Sequence, residues 1–454
     1  MTGSCSEYRR LAHKRLAASL RLLAGGIGLP WIAASAQAAK LPPVRQLGPR
    51  LAITKDFIGN VGNVRQLSDG RLLVNDNRSH RLLLFDATLT HSRVIVDSVP
   101  AANRAYGSAA GGLIAYTGDS TIFVDPVALS LLVLDPAGRI RRVISAPVPD
   151  DAGSLVAPLG GAAFDGRGRL VYRPTGARYF ATGYSPGNGA RAPSRQKSVS
   201  ADRNDLDRPN SAFHDSVPIV AGDMHTHRVD TLGFLSVPIT WAASFAVGSD
   251  GSDTRTLPVT PVSVFDDWAV VSDGSIAFVR AQDYHIDWIN NDGTHTSTPP
   301  LPHAWHRLSD SDKVALIDSA RRQNDSLERV FAFQQARQDS IDRLGGVSRP
   351  KAVTIYEYPP TSDVPDYLPP FSTFGLSSAV RADRDDNLWI REGYAPPAPD
   401  GPPPIYDIVN RAGRLVDRVR LPATMTLAGF GHGVVYLSVR EGGGTVLARY
   451  RVAP

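Results

Sequence analysis

One phrase recurs along the chain with variation. Its clearest copy reads Val64-Arg65-Gln66-Leu67-Ser68-Asp69-Gly70-Arg71-Leu72-Leu73-Val74, then a polar break, then Arg81-Leu82-Leu83-Leu84-Phe85-Asp86. An Asp-Gly pair between two apolar runs is a hairpin signal, so the phrase reads as strand, turn, strand, loop, strand. Such a unit has two faces to bury and cannot bury them alone. It implies stacked copies, and stacked four-stranded sheets close into a β-propeller. The expected fold is therefore all-β, a propeller with two insertions.

Six copies are legible. The first runs from about Phe57 to Val99 and the second from about Ala105 to Pro147. The third opens at Gly160 and resumes at Ser216. The fourth contains Asp266 to Val271, Ser275 to Val279 and Tyr284 to Ile289. The fifth contains Ala379 to Asp383, Asn387 to Ile390 and Pro404 to Val409. The sixth runs from Leu427 to Tyr450 and has only three strands. Leu51-Ala52-Ile53 is strand-like and is expected to supply the missing strand and remove an open edge. Residues 183–212, rich in Gly, Ser, Asn, Asp, Pro and Arg, read as a disordered-looking loop insertion. Ser309 to Leu344 has helical spacing, with Ser309 and Asp312 placed as a capping box and Gly345-Gly346 as a stop. The helical insertion, about 307–346, reads as one or two helices that pad a blade edge or form a lid over the channel.

The first 36 residues differ from the rest. Arg9, Arg10, Lys14 and Arg15 precede a largely apolar run from Leu16 to Ala34, and Ala34-Ser35-Ala36 has the small-residue spacing of a cleavage site. This reads as a signal peptide, leaving 37–454 as the propeller in the periplasm or outside the cell. The net charge of +5 is concentrated there, because residues 1–36 hold five basic residues and only Glu7 as an acid. The remainder is near neutral, which removes the case for a nucleic-acid partner. Cys5, the single cysteine, leaves too, and with it disulfide or thiolate chemistry. No later stretch is long and apolar enough to form an integral membrane segment.

The Asp-Gly-x-Leu-x-Val phrases followed by Leu-Leu-x-Phe-Asp resemble bacterial extracytoplasmic six-bladed β-propellers of the TolB-like and NHL-repeat kind. The resemblance covers most of residues 45–454 and implies a fold, not an activity. Some propellers of this architecture are calcium-dependent lactonases. Their carboxylate and amide cluster has no residue-by-residue match here, so the cofactor is unknown, with calcium tied to the enzymatic alternative.

Ligand-site candidates come from the ends of the second strands, which converge on one mouth of a propeller. There the chain presents Asn75 and Asp76, Asp125, Arg173, Arg280, Arg391 with Glu392, and Arg440 with Glu441. Four Arg residues form an electropositive sector suited to a carboxylate or phosphate. Asp76 and Asp125 would meet hydroxyl or amine groups, or a cation. The main reading is an exported binding module for a small, anionic ligand or a peptide. Alternatives are a metal-dependent hydrolase or lyase acting on a lactone, sugar or peptide, and a scaffold for envelope proteins. Whether the chain is an enzyme at all stays open.

Other motifs read as structural. His225-Thr226-His227 and Asp283-Tyr284-His285 place two side chains on one face of a strand, yet neither has a third metal ligand, and both read as solvated edges. His303 and His306 cap or pack. Trp268, Trp288 and Trp389 lie within strand phrases and read as blade core. No nucleophile elbow, phosphate loop or dinucleotide fingerprint occurs.

Overall fold

The computed structural model describes residues 41–98, 105–156, 161–174, 216–236, 244–247, 253–344, 352–371, 378–393, 402–441 and 444–452. The segment read as a signal peptide and the 183–212 insertion lie outside these residues.

The protein is a six-bladed β-propeller. Blade 1 comprises Val61–Gln66, Leu72–Asp76, Arg81–Phe85 and Ser92–Asp97, paired antiparallel in that order. Blade 2 comprises Gly112–Ala115, Thr121–Asp125, Ser130–Leu134 and Ile140–Ile144. Blade 3 comprises Ala163–Phe164, Leu170–Tyr172, Ser216–Gly222 and Val229–Ser236. Blade 4 comprises Asp267–Val270, Ile276–Arg280, His285–Ile289 and His295–Ser297. Blade 5 comprises Val380–Ala382, Leu388–Arg391, Ile405–Val409 and Leu415–Arg420, and blade 6 comprises Met425–Gly431, Val434–Glu441 and Gly444–Arg451.

The N-terminal lead-in closes the ring. Arg50–Ile53 pairs antiparallel with the last strand of blade 6, with Ile53 opposite Ala448. This is the closure expected from Leu51 to Ile53. A second pairing was not foreseen: Val44–Gln46 adds a parallel strand to the outer edge of blade 5, opposite Arg418 to Arg420.

Alternation along each second strand sends side chains to both neighbouring blades. In blade 5, Leu388 and Ile390 enter the core shared with Trp288 and Val279 of blade 4. Trp389 enters the core shared with Val435 and Leu437 of blade 6. Trp268, Trp288 and Trp389 are all buried, as expected of blade core. Polar staples register the blades at the turn end. Ser68 donates its backbone N–H and its hydroxyl to Asp119 of blade 2, and Ser272 does the same to Asp386 of blade 5. Both Ser residues precede an Asp-Gly turn whose glycine has positive φ, 86° at Gly70 and 84° at Gly274.

Two features lie outside the blades. Ser244–Val247, Asp253–Pro258 and Ala352–Glu357 form a three-stranded sheet absent from the repeat reading. Its parallel pair joins Asp253 to Ala352, across all of blade 4 and the helix. The helix is single: α1, Asp310–Leu344. Its capping box forms as expected, with Ser309 N donating to Asp312 Oδ2 at 2.9 Å and Asp312 N to Ser309 Oγ at 3.2 Å. Its first turns pack Ile317 on Val262, Leu308 and Val364, and Lys313 reaches Asp366 at 2.6 Å.

Candidate functional site

The second strands of blades 1, 2 and 4 end in the same device. A four-residue turn follows Asp76, Asp125 and Arg280, and its last residue sits in the left-handed region: His80 (φ 48°), Leu129 (51°) and Tyr284 (52°). That conformation is uncommon for residues other than glycine, and it redirects the side chain. In blade 1, His80 stacks on Tyr106, with ring centroids 5.5 Å apart. In blade 4, Tyr284 is buried and its hydroxyl crosses to blade 5, donating to Asp407 Oδ2 at 2.6 Å.

Asp407 sits in the middle of the third strand of blade 5, directly opposite Arg418 on the fourth strand and Ile390 on the second. Arg418 Nε donates to Asp407 Oδ1 at 3.2 Å and to Glu392 Oε1 at 2.8 Å, and its terminal nitrogen also donates to Glu392. One guanidinium thus serves two carboxylates. Asp407 is almost fully buried, whereas Glu392 and Arg418 keep 16% and 17% of their side chains exposed, so the cluster opens to solvent through that pair.

The electrostatics follow from burial. Desolvation, with Glu392 beside it, pushes the Asp407 carboxyl up to about 8. The shift favours the protonated form of Asp407 at neutral pH, beside the Arg418 guanidinium. Burial, then the Asp407 charge, holds the Tyr284 phenol well above its usual range, so it stays a donor. Burial lowers His303 below the ordinary imidazole value, which keeps it neutral; Glu392 and Arg418 add smaller, opposed effects.

An aromatic ladder leads outward from this cluster. His303 meets Tyr284 edge-on at 5.6 Å, Trp305 meets His303 at 5.2 Å, and Tyr367 meets Trp305 at 6.2 Å. Trp305 and Tyr367 are exposed by 39% and 46%. His303 packs, one of its two expected roles.

Blade 4 carries a second polar chain. Arg280 donates to Asp266 Oδ2 at 2.7 Å, to the Phe234 carbonyl at 2.8 Å and to Asp287 Oδ2 at 2.8 Å. His285 lies between Asp283 (2.6 Å) and Asp287 (3.2 Å). The reading of Asp283-Tyr284-His285 as a solvated edge is corrected here. Tyr284 is core and His285 is partly buried between two carboxylates, because the left-handed turn folds the segment against blade 5. Close by, Asp267 accepts from Ser378, Ala379, Val380 and Trp268 and joins the inner strands of blades 4 and 5. Burial without a cationic partner pushes it up to about 6.

The expected site residues all lie at second-strand ends, on different faces. Asp76 is buried and accepts from the backbone of Gly59, Asn60 and Ser79 and from Arg81. Asp125 accepts from Val127 and Ala128 in its own turn. Arg280 follows Phe278 toward blade 3, whereas Arg391 follows the alternation of Trp389 toward blade 6. Arg173 follows Tyr172 and is partly buried, and Arg440 is exposed. A shift of one residue between copies reverses the face, so the four Arg residues do not repeat one orientation. Of the expected residues only Glu392 belongs to the Asp407 cluster. Asp407, Arg418 and Tyr284 were missed because they are not strand ends. The available signal was an acid at an inward position of an apolar strand, Ile405-Tyr406-Asp407-Ile408-Val409.

Among the described residues no three His, Cys, Asp or Glu side chains converge as a metal cage requires. A cavity of about 170 Å³ lies between blades 5 and 6 near Asp383, Trp389 and Phe430. In its walls Trp389 Nε1 donates to Asp383 and Arg45 to Asp417.

No protein-family model and no curated protein matches the chain. Solved structures with similar backbones include virginiamycin B lyase from Staphylococcus aureus, at 10% identity and a TM-score of 0.36, covering 89% of this chain and 99% of that one. Regucalcin, a calcium-binding protein from Agrobacterium tumefaciens, is 10% identical with a TM-score of 0.34, covering 90% and 98%. A gluconolactonase from Xanthomonas campestris is 12% identical with a TM-score of 0.26, covering 90% and 99%. At these values the likeness carries no argument about activity.

Proposed function

We propose that the protein is an exported propeller that binds a small ligand at the second-strand end of blades 4 and 5, in front of Glu392 and Arg418. The observation that supports this reading is the partly open Glu392–Arg418 pair over the buried Asp407, which Tyr284 joins to the ladder running out through His303 to Trp305 and Tyr367. With Asp407 neutral, Arg418 faces a single carboxylate charge and can take a second from a ligand. The aromatic ladder suits the flat apolar face of a sugar ring or a peptide side chain. A sugar acid or an acidic peptide combines both demands. The Arg280 charge is matched by Asp266 and Asp287, so the anion contact falls to Arg418, which was not among the four expected Arg residues.

A thermal-shift screen of sugar acids, phosphosugars and acidic peptides tests the reading. The expected result is a stabilising ligand whose effect is lost in both Arg418→Ala and Trp305→Ala. The absence of any stabilising anion, or a shift that survives both substitutions, would refute it.

The enzymatic alternative, a hydrolase or lyase, is favoured by one observation: the raised Asp407 acid lies beside Glu392, which keeps 16% of its side chain open to solvent. An acid with a raised pKa next to a solvent-reaching carboxylate is an arrangement for general acid and base work. Turnover of any ligand found by the screen, with an alkaline limb near pH 8 that Asp407→Asn removes, separates catalysis from binding.

A further inference from the structure

Asp417 and Arg418 are neighbours on the fourth strand of blade 5, and alternation sends them to opposite sides of the sheet. Arg418 meets Asp407 and Glu392 on the side of blade 4. Asp417 lines the cavity of about 170 Å³ on the side of blade 6. Val416, Phe430, Val434 and Val452 form the apolar wall of that cavity, and Phe430 meets Trp389 at 5.3 Å as an aromatic corner. Val416 is 48% exposed and Asp385 is exposed too, so the mouth lies on their side. An apolar cavity of ~150 Å³ holds a benzene molecule, so this one has room for a single small ring.

Hydrogen-bond accounting decides what chemistry the occupant must bring. The side-chain donors in the wall point at wall carboxylates. Trp389 Nε1 and Asn387 Nδ2 donate to Asp383, both at 3.0 Å, and Arg45 Nε donates to Asp417 at 2.6 Å. Acceptors are left over. Asn387 Oδ1 and the Asp385 carboxylate have no partner among the described residues. Asp383, Asp385 and Asp417 also stand against the single Arg45, so the wall carries an excess of negative charge. The nearby cations are turned away. Arg381 bonds the Leu427 and Ala428 carbonyls, and Arg384 reaches the Gln66 carbonyl of blade 1. A positive head with donors to spare, on an apolar body, meets each of these demands. We propose that the cavity is a second binding site, for a primary ammonium on a small apolar body, with the head at Asp385 and Asn387 and the body on Phe430 and Val434. It is separate from the anion contact at Arg418, which lies on the other side of the blade.

Calorimetric titration with benzylamine, benzyl alcohol and benzoate, one body under three heads, tests this near neutral pH. Benzylamine, protonated there, is expected to bind at a single site, benzyl alcohol roughly tenfold more weakly and benzoate not at all. Asp385→Asn should weaken benzylamine roughly tenfold and leave benzyl alcohol unchanged. Val416→Phe, which fills the mouth, should abolish the binding of both. Both positions are exposed, so melting temperatures close to that of the wild type are expected and verify folding. Arg418→Ala should leave benzylamine binding unchanged, which tells this site apart from the anion contact. A wild type that does not bind benzylamine, or binds benzoate equally well, would overturn the proposal. So would benzylamine binding that survives both Asp385→Asn and Val416→Phe, or that is lost in Arg418→Ala.

Discussion

Blades 1 and 5 use buried carboxylates for opposite purposes. Asp76 ends the second strand of blade 1 and is surrounded by donors. Burial works against its charge, but hydrogen bonds from Ser79, Gly59 and Arg81 outweigh it and hold the carboxyl below the usual range. Asp407 in blade 5 is equally hidden, yet its neighbours are a phenol, a shared guanidinium and another carboxylate. It rises where Asp76 falls. The lesson is that burial alone does not decide whether an acid is mortar or reagent; the number of donors aimed at it does. Blade 1 spends its donors on folding the turn. Blade 5 has no four-residue turn after Arg391, and its acid keeps a proton.

The largest effect expected from this contrast is on stability. Asp76→Ala should cost about 3 kcal/mol in urea denaturation, because the Gly59, Asn60 and Ser79 N–H groups lose their charged acceptor. Ligand stabilisation should persist in that variant. If Asp76→Ala is mild, blade 1 is not the structural half of the comparison. Next comes binding. Arg418→Ala should weaken the ligand found by the screen by roughly 10- to 150-fold, the equivalent of one charge-assisted bond. Calorimetric titration would read this directly.

A smaller effect lies in the pH dependence. The Asp407 pKa is raised in the folded state, so its contribution to stability is full below the unfolded carboxyl value and is lost as pH rises to about 8. Asp267, raised to about 6, has the same sign over a lower window. His303 has the opposite sign, since a depressed imidazole loses stability as pH falls below its ordinary value. Between pH 7 and 8 Asp407 is the one of these three still titrating. Stability should fall there by about 1 kcal/mol, and Asp407→Asn should flatten the slope. A wild-type curve that rises over this interval would mean Asp407 is ionised. The smallest expected effect is at Asp125. Asp125→Asn keeps the oxygen that accepts from Val127 and Ala128, so the change should stay within about 0.5 kcal/mol.

The propeller was readable because its determinants are local. Asp69-Gly70 and Asp273-Gly274 turn where they stand, and the alternation around Trp268 and Trp389 assigns each side chain to a blade interface. The three-stranded sheet was not readable, because Asp253–Pro258 finds its partner at Ala352–Glu357 and nothing in either segment names the other. The site was half readable. Glu392 follows from its place just past a strand end. Asp407 and Arg418 become partners only through cross-strand register, and Tyr284 joins them only through a left-handed turn residue that no sequence pattern marks.

Closure of the ring has a temporal consequence. Residues 44–53 are made well before their partners, which are Leu415–Arg420 and Gly444–Arg451. The first segment of the propeller must therefore wait, unpaired, while nearly all of the chain emerges. Pairing across such a span is slow to form, and it makes completion of the polypeptide a condition for sealing the fold. A product truncated before Gly444 would keep two bare edges, one at each end of the chain.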